Sequence, residues 1–437
     1  MKRLDIKWVF LVMLVSATSR FDLPIVVRIP LSEIIAFASI PFLFRGVNLQ
    51  RYMPRLQVVI GVLLLWFLGC VISDFVNANY FSRAIRGFSK PVFTFMWVLF
   101  FVGILHKDHR LLLFGVFGGV LAAIQNYVMP QGFTEEYIAS GGYEAVAFGL
   151  TPIVSSSMVI FATWFYMRHR LYSVIAYFIM AILFVVVGAP RSGVAIALMN
   201  SLIIGYMWWI HSGRGRRSFT LSFGRLAMLG VLGTMALYGI YELYVLFAQN
   251  GWLGEYQQTK LASQSKTMFG NSPIGLVMAG RPQFFGALMA LKDYPIWGSG
   301  SWTAWLMTDY FYEAMVVVGA DPALLRRIVS SGAEAGVGHS ILLQLWLENG
   351  FLALIAMLST FWISTKVFLA TIARDSWLTP IIVGAFVGFV WAFLFSPFDT
   401  STRKVIGMFF ALYILGYPQV WQAYRPLRRF SDVGRGR

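Results

Sequence analysis

Apolar runs of about 20 residues, the length that a helix needs to cross the hydrocarbon core of a bilayer, recur along the whole chain. Short polar loops separate them. Because lipid forces backbone groups to bond within their own segment, this pattern predicts an all-α polytopic membrane protein with about 12 transmembrane helices. We expect one integral membrane domain over 1–437. The predicted spans are 6–19, 25–44, 57–73, 91–105, 111–129, 145–166, 171–188, 193–211, 225–248, 351–372, 378–397 and 405–421.

Lysine and arginine collect in alternate loops, as they do in cytoplasmic loops of membrane proteins. An even number of spans then leaves both termini in the cytoplasm, and the basic tail agrees. The residues 249–338, between the ninth and tenth spans, form one large external loop, in which we expect short helices at the interface or over a cavity. The basic residues that set this orientation are Arg45, Arg51, Arg55, Lys107, Arg110, Arg168, Arg170, Arg214, Arg216, Arg217, Lys366 and Arg374.

The composition agrees with a membrane protein: 58% of the 437 residues are hydrophobic and 12% are charged. The net charge of +16 would suggest nucleic acid binding in a soluble protein, but cytoplasmic loops explain part of it here, and we expect no nucleic acid partner. The single cysteine, Cys70, excludes a disulfide framework and a cysteine metal site.

Three basic residues on the external side are not explained by topology. Arg83, Arg86 and Lys90 are spaced by three and four residues, so that a helix would present them on one face. Such a stripe suits a phosphate or a pyrophosphate. The alternative is an amphipathic helix whose long side chains reach anionic lipid head groups.

Other arginines are candidates for the same anion. Arg191 follows Gly188-Ala-Pro190 between two apolar spans, where a cation is costly without a partner. Arg28, within or beside the second span, is a similar case, and Arg281 lies in the long loop ahead of Tyr294-Pro-Ile-Trp-Gly-Ser-Gly300. Each of them has a structural alternative, namely an arginine bonded to loop carbonyls.

His339 is the one histidine that the predicted topology leaves outside, and it precedes an apolar run containing Glu348-Asn-Gly350. One histidine does not make a zinc site, but it can act as a general base near neutral pH. A structural role is the alternative. Asp399, in the last outer loop, is a second catalytic candidate and the alternative to His339 as the base. It could otherwise orient His339 or pair with Arg403 or Lys404.

Three of these segments, in this order, resemble the O-antigen ligase and polymerase family of bacterial envelope enzymes. They are Pro190-Arg-Ser-Gly193, the arginine segment leading to Tyr294–Gly300, and Gly338-His-Ser340 leading to Glu348-Asn-Gly350. The resemblance implies a GT-C-like glycosyltransferase architecture in the bacterial inner membrane, with a periplasmic active site. It also implies that an undecaprenyl pyrophosphate glycan is the donor, and that lipid A-core is the acceptor of a ligase.

Carried over by position, the resemblance implies that Arg191 and the external basic residues hold the pyrophosphate and that His339 activates the acceptor hydroxyl. Fixed cations would neutralise the leaving group without a metal or other cofactor, and in-line displacement would invert the anomeric carbon. A polymerase remains the alternative, since the Arg-ten residues-Gly spacing described for polymerases fits once, from Arg327 to Gly338. The counterparts that start at Arg281 and Arg191 fail, because they reach Lys292 and Leu202, and this favours a ligase. A flippase for lipid-linked sugars is a further alternative, although it should place charges midway in several spans.

Overall fold

The computed structural model describes residues 4–24, 28–128, 150–186, 191–211, 241–252, 282–302, 304–318, 340–374 and 376–416, together with single positions between 231 and 265. These residues are almost entirely helical, which confirms the predicted all-α character apart from one short ribbon. The helices are α1 (Ile6–Ala17), α2 (Leu31–Leu43), α3 (Met53–Val76), α4 (Phe81–Lys107), α5 (Leu111–Val128), α6 (Thr151–Arg168), α7 (Arg170–Val186), α8 (Arg191–His211), α9 (Pro282–Asp293), α10 (Ala304–Val318), α11 (Ile341–Arg374), α12 (Thr379–Phe395) and α13 (Thr400–Ile414). Short 3₁₀ turns at Thr18–Arg20 and Leu49–Tyr52 adjoin them, and residues 241–249 are also helical.

Four of the described helices are long and apolar enough to cross a membrane by length and composition: Leu49–Val76, Phe81–Lys107, Ser192–Trp209 and Ile341–Ala373. Shorter apolar helices accompany them at Ile6–Ala17, Leu31–Leu43, Leu111–Gln125, Arg170–Phe184 and Thr379–Phe395. The chain is therefore built as a helical membrane protein, while the number of spans stays a prediction.

The second predicted span, 25–44, begins later than expected. Its helix starts at Leu31, after a two-stranded antiparallel ribbon of β1 (Asp22–Pro24) and β2 (Arg28–Pro30). Pro30 is the N-cap of α2, with φ −60° and ψ 134°. Proline has no amide hydrogen and a fixed φ, so it ends the strand and suits the start of a helix. Arg28 consequently lies on β2, beside the span and not within it.

Helix α4, which carries the predicted external basic residues, is longer than the apolar run that predicted it. The apolar pattern predicts a span at 91–105, yet α4 begins at Phe81 and carries Arg83, Arg86 and Lys90 on its first three turns. The predicted helical stripe is thus part of a membrane-length helix.

Close helix packing holds α3, α4, α11 and α13 together. A Cβ atom on Gly69 of α3 would lie 2.7 Å from the carbonyl oxygen of Asn349 on α11. A Cβ atom on Gly407 of α13 would lie 2.7 Å from the Cβ of Trp97 on α4. Since lipid gives no hydrophobic driving force between helices, such small residues favour association by letting two backbones approach closely.

A second group of helices, α6, α7, α8 and α12, packs beside the first. The buried Tyr177 of α7 donates a hydrogen bond to the carbonyl of Pro380 at the start of α12, with an O–O distance of 2.9 Å. Ser201 of α8 donates to the carbonyl of Val174 on α7 at 3.0 Å. These hydrogen bonds act as polar links between helices in an apolar surrounding.

Two helices of the predicted external loop, α9 and α10, pack against each other, and α9 also packs against α11. The phenol of Tyr310 donates a hydrogen bond to the carboxylate of Asp293. The pKa of Tyr310 is raised mainly by partial burial and secondly by this hydrogen bond. Residues 293–302, which begin at the last residue of α9 and lead towards α10, contribute to the site described below.

The orientation of α4 gives a first prediction. Reporter fusions after Lys107 should report cytoplasm, and fusions after Trp302 should report the external side, because the loop after α4 is basic and the long loop lies opposite. Paired phosphatase and fluorescent-protein fusions measure this directly. Fusions after Arg45, Arg168, Arg216 and Arg374 serve as cytoplasmic controls. A cytoplasmic signal after Trp302 would contradict the assignment of every external residue.

Candidate active site

Four segments meet where α3 ends and α4 begins. They are the end of α3 with its following turn, the first turns of α4, residues 293–302 (the outer segment), and the first turns of α11. We name this cluster the outer junction. Its polar members are Ser73, Asp74, Asn79, Lys90, Ser299, Ser301, Gln344 and Glu348.

The outer segment is bound to α11 by an exchange of backbone hydrogen bonds. Gly350 breaks α11, with φ 73° and ψ −168°. In an unbroken helix the amide of Phe351 would bond to the carbonyl of Leu347. Instead, Phe351 donates to the carbonyl of Ile296 at 2.7 Å, and Leu347 accepts from the amide of Ser299 at 2.7 Å. The outer segment therefore satisfies backbone groups that the break in α11 leaves open.

Two glycines make this exchange possible. A Cβ atom on Gly298 would lie 2.6 Å from the amide nitrogen of Gly350, and a Cβ atom on Gly350 would overlap the carbonyl oxygen of Ile296. Both glycines also have positive φ, which side chains other than hydrogen disfavour. The segments Tyr294–Gly300 and Glu348-Asn-Gly350, which carry part of the resemblance, are thus in direct backbone contact.

Asp74 anchors the far end of the outer segment to α3. This buried carboxylate accepts from the amide of Ser301 at 2.6 Å and from its hydroxyl at 2.8 Å. Asn79 donates to Asp74 at 2.8 Å and to the carbonyl of Ser301 at 2.8 Å. Gly87 of α4 leaves the room for Ser301, because a Cβ atom there would overlap the serine hydroxyl. A carboxylate with three donors is well satisfied in a site away from water.

Ser73, next to Asp74, connects α3 to α11 and to the outer segment. Its hydroxyl donates to the carbonyl of Glu348 at 2.8 Å and accepts from the amide of Gly300 at 3.0 Å. One side chain on α3 thus fixes α11 and the outer segment relative to each other.

A buried ion pair joins α4 to α11. The ammonium of Lys90 contacts a carboxylate oxygen of Glu348, whose side chain is fully buried. The other oxygen of Glu348 accepts from the amide of Gln344 at 3.1 Å, and Gln344 accepts from the backbone of Phe398 at 2.8 Å. Pairing neutralises two charges that would each be very costly alone in a low-dielectric interior. Lys90 therefore has a protein partner in addition to its predicted role in anion binding.

The other two cations of the stripe lie over aromatic rings. The guanidinium carbon of Arg83 is 5.4 Å from the ring centroid of Tyr80. That of Arg86 is 5.1 Å from the ring of Trp302, and the ammonium of Lys90 is 5.9 Å from the same ring. Such cation–π contacts hold a cation without removing its charge. Arg86 is therefore positioned by the ring of Trp302, whereas Lys90 is also paired with Glu348.

Asp399 has a structural role. Its carboxylate is the N-cap of α13 and accepts from the amide and the hydroxyl of Thr402, both at 2.7 Å. The neighbouring Arg403 forms an ion pair with the buried Glu33 at 3.3 Å, and Trp97 donates to the same carboxylate oxygen at 3.2 Å. Asp399 was expected to pair with Arg403 or Lys404 or to orient His339. The ion pair of Arg403 is with Glu33 instead, and the relation of Asp399 to His339 stays a prediction.

The remaining predicted residues are only partly placed. Arg191 is the first residue of α8, and Arg28 begins β2; both are described by their backbone. His339 and Arg281 lie outside the described residues. Ser340, directly after His339, is buried and donates to the carbonyl of Phe393 at 3.1 Å, which fixes the beginning of α11.

Asp74 and Glu348 were missed as site residues by sequence reasoning. Both are acids inside otherwise apolar helices, a position in which an ionisable residue indicates a partner or a function. That signal was available, but the partner of Glu348 lies 258 residues away in the chain. In the described part of the chain, no group of three or more histidine, cysteine, aspartate or glutamate residues is arranged to hold a metal ion.

No protein-family model matches this sequence, and no curated protein is significantly similar to it. The functional assignment therefore depends on the motifs and on the geometry.

The ion pair gives a stability prediction. Lys90→Met should destabilise the protein by about 3–5 kcal/mol, because it leaves the carboxylate of Glu348 buried without its cation. Lys90→Met combined with Glu348→Gln should recover most of the loss, since glutamine is neutral and still accepts from Gln344. Thermal unfolding in one detergent measures both variants.

The exposed pair between Lys7 and Asp5, at 3.0 Å, is the matched control. Lys7→Met should change stability little, because solvent screens exposed charges. A double variant as unstable as Lys90→Met alone would contradict the proposed reason for the loss.

Proposed function

We propose that this protein is a metal-independent, inverting membrane glycosyltransferase of the O-antigen ligase type. It moves a glycan from undecaprenyl pyrophosphate to a sugar of lipid A-core at the periplasmic face of the bacterial inner membrane. The observation that carries the proposal is the outer junction. It joins two of the three segments that carry the resemblance, and it sets them against the cationic end of α4.

The electrostatics of the junction suit a pyrophosphate. Arg83 and Arg86 lie on the first two turns of α4, where the positive end of the helix dipole adds to their charge. Arg191, the first residue of α8, is a further cation that the resemblance implies for the pyrophosphate. Guanidinium groups are suited to phosphate oxygens because their donors form a rigid fork.

The proposed base directly precedes α11 in the sequence. His339 directly precedes Ser340, which is anchored at the start of α11, and the following turns of α11 carry Gln344 and Glu348. The ion pair of Glu348 with Lys90 fixes this part of α11 to α4. Chemistry at His339 would therefore be positioned by the helix that also carries the break at Gly350.

The reaction follows from these roles. His339 takes the proton of an acceptor hydroxyl, whose oxygen then forms a bond to the anomeric carbon of the donor sugar. The bond from that carbon to the pyrophosphate oxygen breaks, and undecaprenyl pyrophosphate leaves with the electron pair. Arginines stabilise the negative charge that grows on the leaving group. Attack from the opposite face inverts the carbon.

Transport of a lipid-linked sugar is the second candidate, and the buried ion pairs favour it, since transporters use such pairs as proton relays. Lys90 with Glu348 and Glu33 with Arg403 are both buried between helices. Under the predicted orientation, however, all four residues lie in the outer halves of their helices. This distribution suits chemistry at one face better than a path across the membrane.

A reconstitution assay tests the proposal. Purified protein in nanodiscs receives an undecaprenyl pyrophosphate glycan, with or without lipid A-core, and the products are separated by mass. We expect glycan on lipid A-core. A ladder of longer lipid-linked chains would instead indicate a polymerase. If neither product forms, the protein is placed in sealed vesicles, where movement of the intact lipid between the leaflets would indicate a flippase.

The roles of His339 and Arg191 can be separated. His339→Ala should reduce turnover by about 10²–10⁴-fold and leave donor binding intact, because it removes a base but no pyrophosphate contact. Arg191→Ala should weaken donor binding by about 1.5–3 kcal/mol, and Arg191→Lys should restore little. Donor binding and initial rate are measured in the same nanodiscs. His169→Ala, an exposed histidine of a predicted cytoplasmic loop, is the control.

Near-normal turnover in His339→Ala would exclude that histidine as the base. If His339→Ala abolished donor binding and Arg191→Ala did not, the two roles would have to be exchanged.

Activity should survive a metal chelator. Phosphate chemistry often uses Mg²⁺ to neutralise its oxygens, but arginines are proposed to do so here. The transfer rate is compared with and without chelator, and after Mg²⁺ or Mn²⁺ is added back. Loss of activity that either ion restores would contradict a mechanism based on arginine alone.

A further inference from the structure

Trp302 has an unusual backbone. Its φ is 62°, and in the described part of the chain Ala78 is the one other residue besides glycine with a positive φ. For a bulky side chain this conformation is a true outlier, and it persists only where the surroundings impose it. Trp302 is nevertheless 38% exposed, so its ring is not held by burial in a core.

The preceding residue is held by hydrogen bonds. The amide and the hydroxyl of Ser301 donate to Asp74, and its carbonyl accepts from Asn79. Trp302 follows this fixed residue, and its positive φ turns the chain there. The turn brings the indole ring against Arg86 and Lys90, which lie one helical turn apart on α4.

An interfacial tryptophan that only anchors the protein in the membrane does not need such a device. Tryptophan and tyrosine are enriched at membrane–water interfaces because their amphipathic rings suit the head-group level, and this requires no positive φ. A strained backbone that presents a partly exposed ring beside fixed cations is typical of a binding site. The cations also restrain the ring, so that a ligand loses less conformational freedom on binding.

We propose that the ring of Trp302 is a stacking platform for the first sugar of the lipid-linked donor. This inference rests on the proposed function and adds a subsite to it. The carbon–hydrogen face of a pyranose ring is apolar and flat enough to cover an indole. The pyrophosphate of that sugar is attached at its anomeric carbon and so leaves the ring at its edge. Arg86, which contacts the indole, is then beside the charged group of the same ligand.

The platform accounts for several features at once. Asp74, Ser301 and Gly87 act as positioning residues, since they fix the backbone that carries the ring. Lys90, which is paired with Glu348, contributes to the support of the ring. A pyrophosphate without a sugar would need only the cations, whereas a sugar-bearing pyrophosphate would need the ring as well.

The experiment compares two probes on one set of variants. Undecaprenyl pyrophosphate and an undecaprenyl pyrophosphate oligosaccharide are titrated against the purified full-length protein in nanodiscs. Trp302→Ala should weaken binding of the oligosaccharide lipid by about tenfold and leave binding of the sugar-free lipid unchanged. Trp302→Phe should retain most of the affinity, because a smaller aromatic face remains.

Two further variants control for folding and for position. Trp302→Gly removes the ring but suits the positive φ, so it should melt no lower than the wild type and should still lose the same affinity. Trp297 belongs to the same outer segment, is 52% exposed and has no positive φ. Trp297→Ala should bind both lipids as the wild type does.

The outcomes are distinct. Equal losses for both lipids, or wild-type affinity in Trp302→Gly, would overturn the platform. A third outcome separates the two proposals. If the sugar strengthens binding only when Trp302 is present, but the wild-type protein transfers glycan to no acceptor, the platform is supported and the proposed transfer is overturned. A wild-type protein with equal affinity for the two lipids would show that no sugar subsite exists.

Discussion

The outer junction depends on the broken hydrogen bond in α11. A helix in a membrane cannot leave its backbone groups unsatisfied, because no water is present to replace the missing partners. The break at Gly350 prevents the hydrogen bond between Leu347 and Phe351. The outer segment supplies new partners instead, Ser299 for Leu347 and Ile296 for Phe351. An irregular segment thereby becomes part of the helical framework. The remaining contacts of the site add to this backbone exchange.

The charges of the site obey the same constraint. Asp74 is satisfied by serine and asparagine donors, and Glu348 is satisfied by Lys90 and Gln344. Each buried charge thus has a fixed partner, which is the usual condition for retaining it in a low-dielectric interior. Arg86 differs from these groups, since its described contact is with the indole of Trp302 and no acid is needed to hold it there. That difference separates the groups that maintain the fold from those proposed to meet a ligand.

The site combines rigid support with an accessible edge. Helices α3, α4 and α11 approach closely through small residues such as Gly69, and the ion pair and serine bonds fix their relative positions. Preorganised groups of this kind can stabilise developing charge without reorganising during the reaction. The proposed glycosyl transfer makes use of this arrangement, because a pyrophosphate leaving group needs fixed positive charge more than it needs covalent assistance.

The sequence by itself determined the helical class, the approximate positions of the apolar helices and the helical spacing of Arg83, Arg86 and Lys90. These properties depend on periodicity and charge within a short window of the chain. Hydropathy alone failed at the start of α4, where polar residues continue the helix beyond its apolar run, and at the start of α2, where Pro30 delays it. Only the tertiary structure decided that Lys90 pairs with Glu348, that Asp74 holds Ser301, and that the outer segment completes α11. Lys90 and Asp74 are 258 and 227 residues from their partners, and Ser299 is 48 residues from Leu347. These pairings are therefore set by how the helices pack and not by any local pattern.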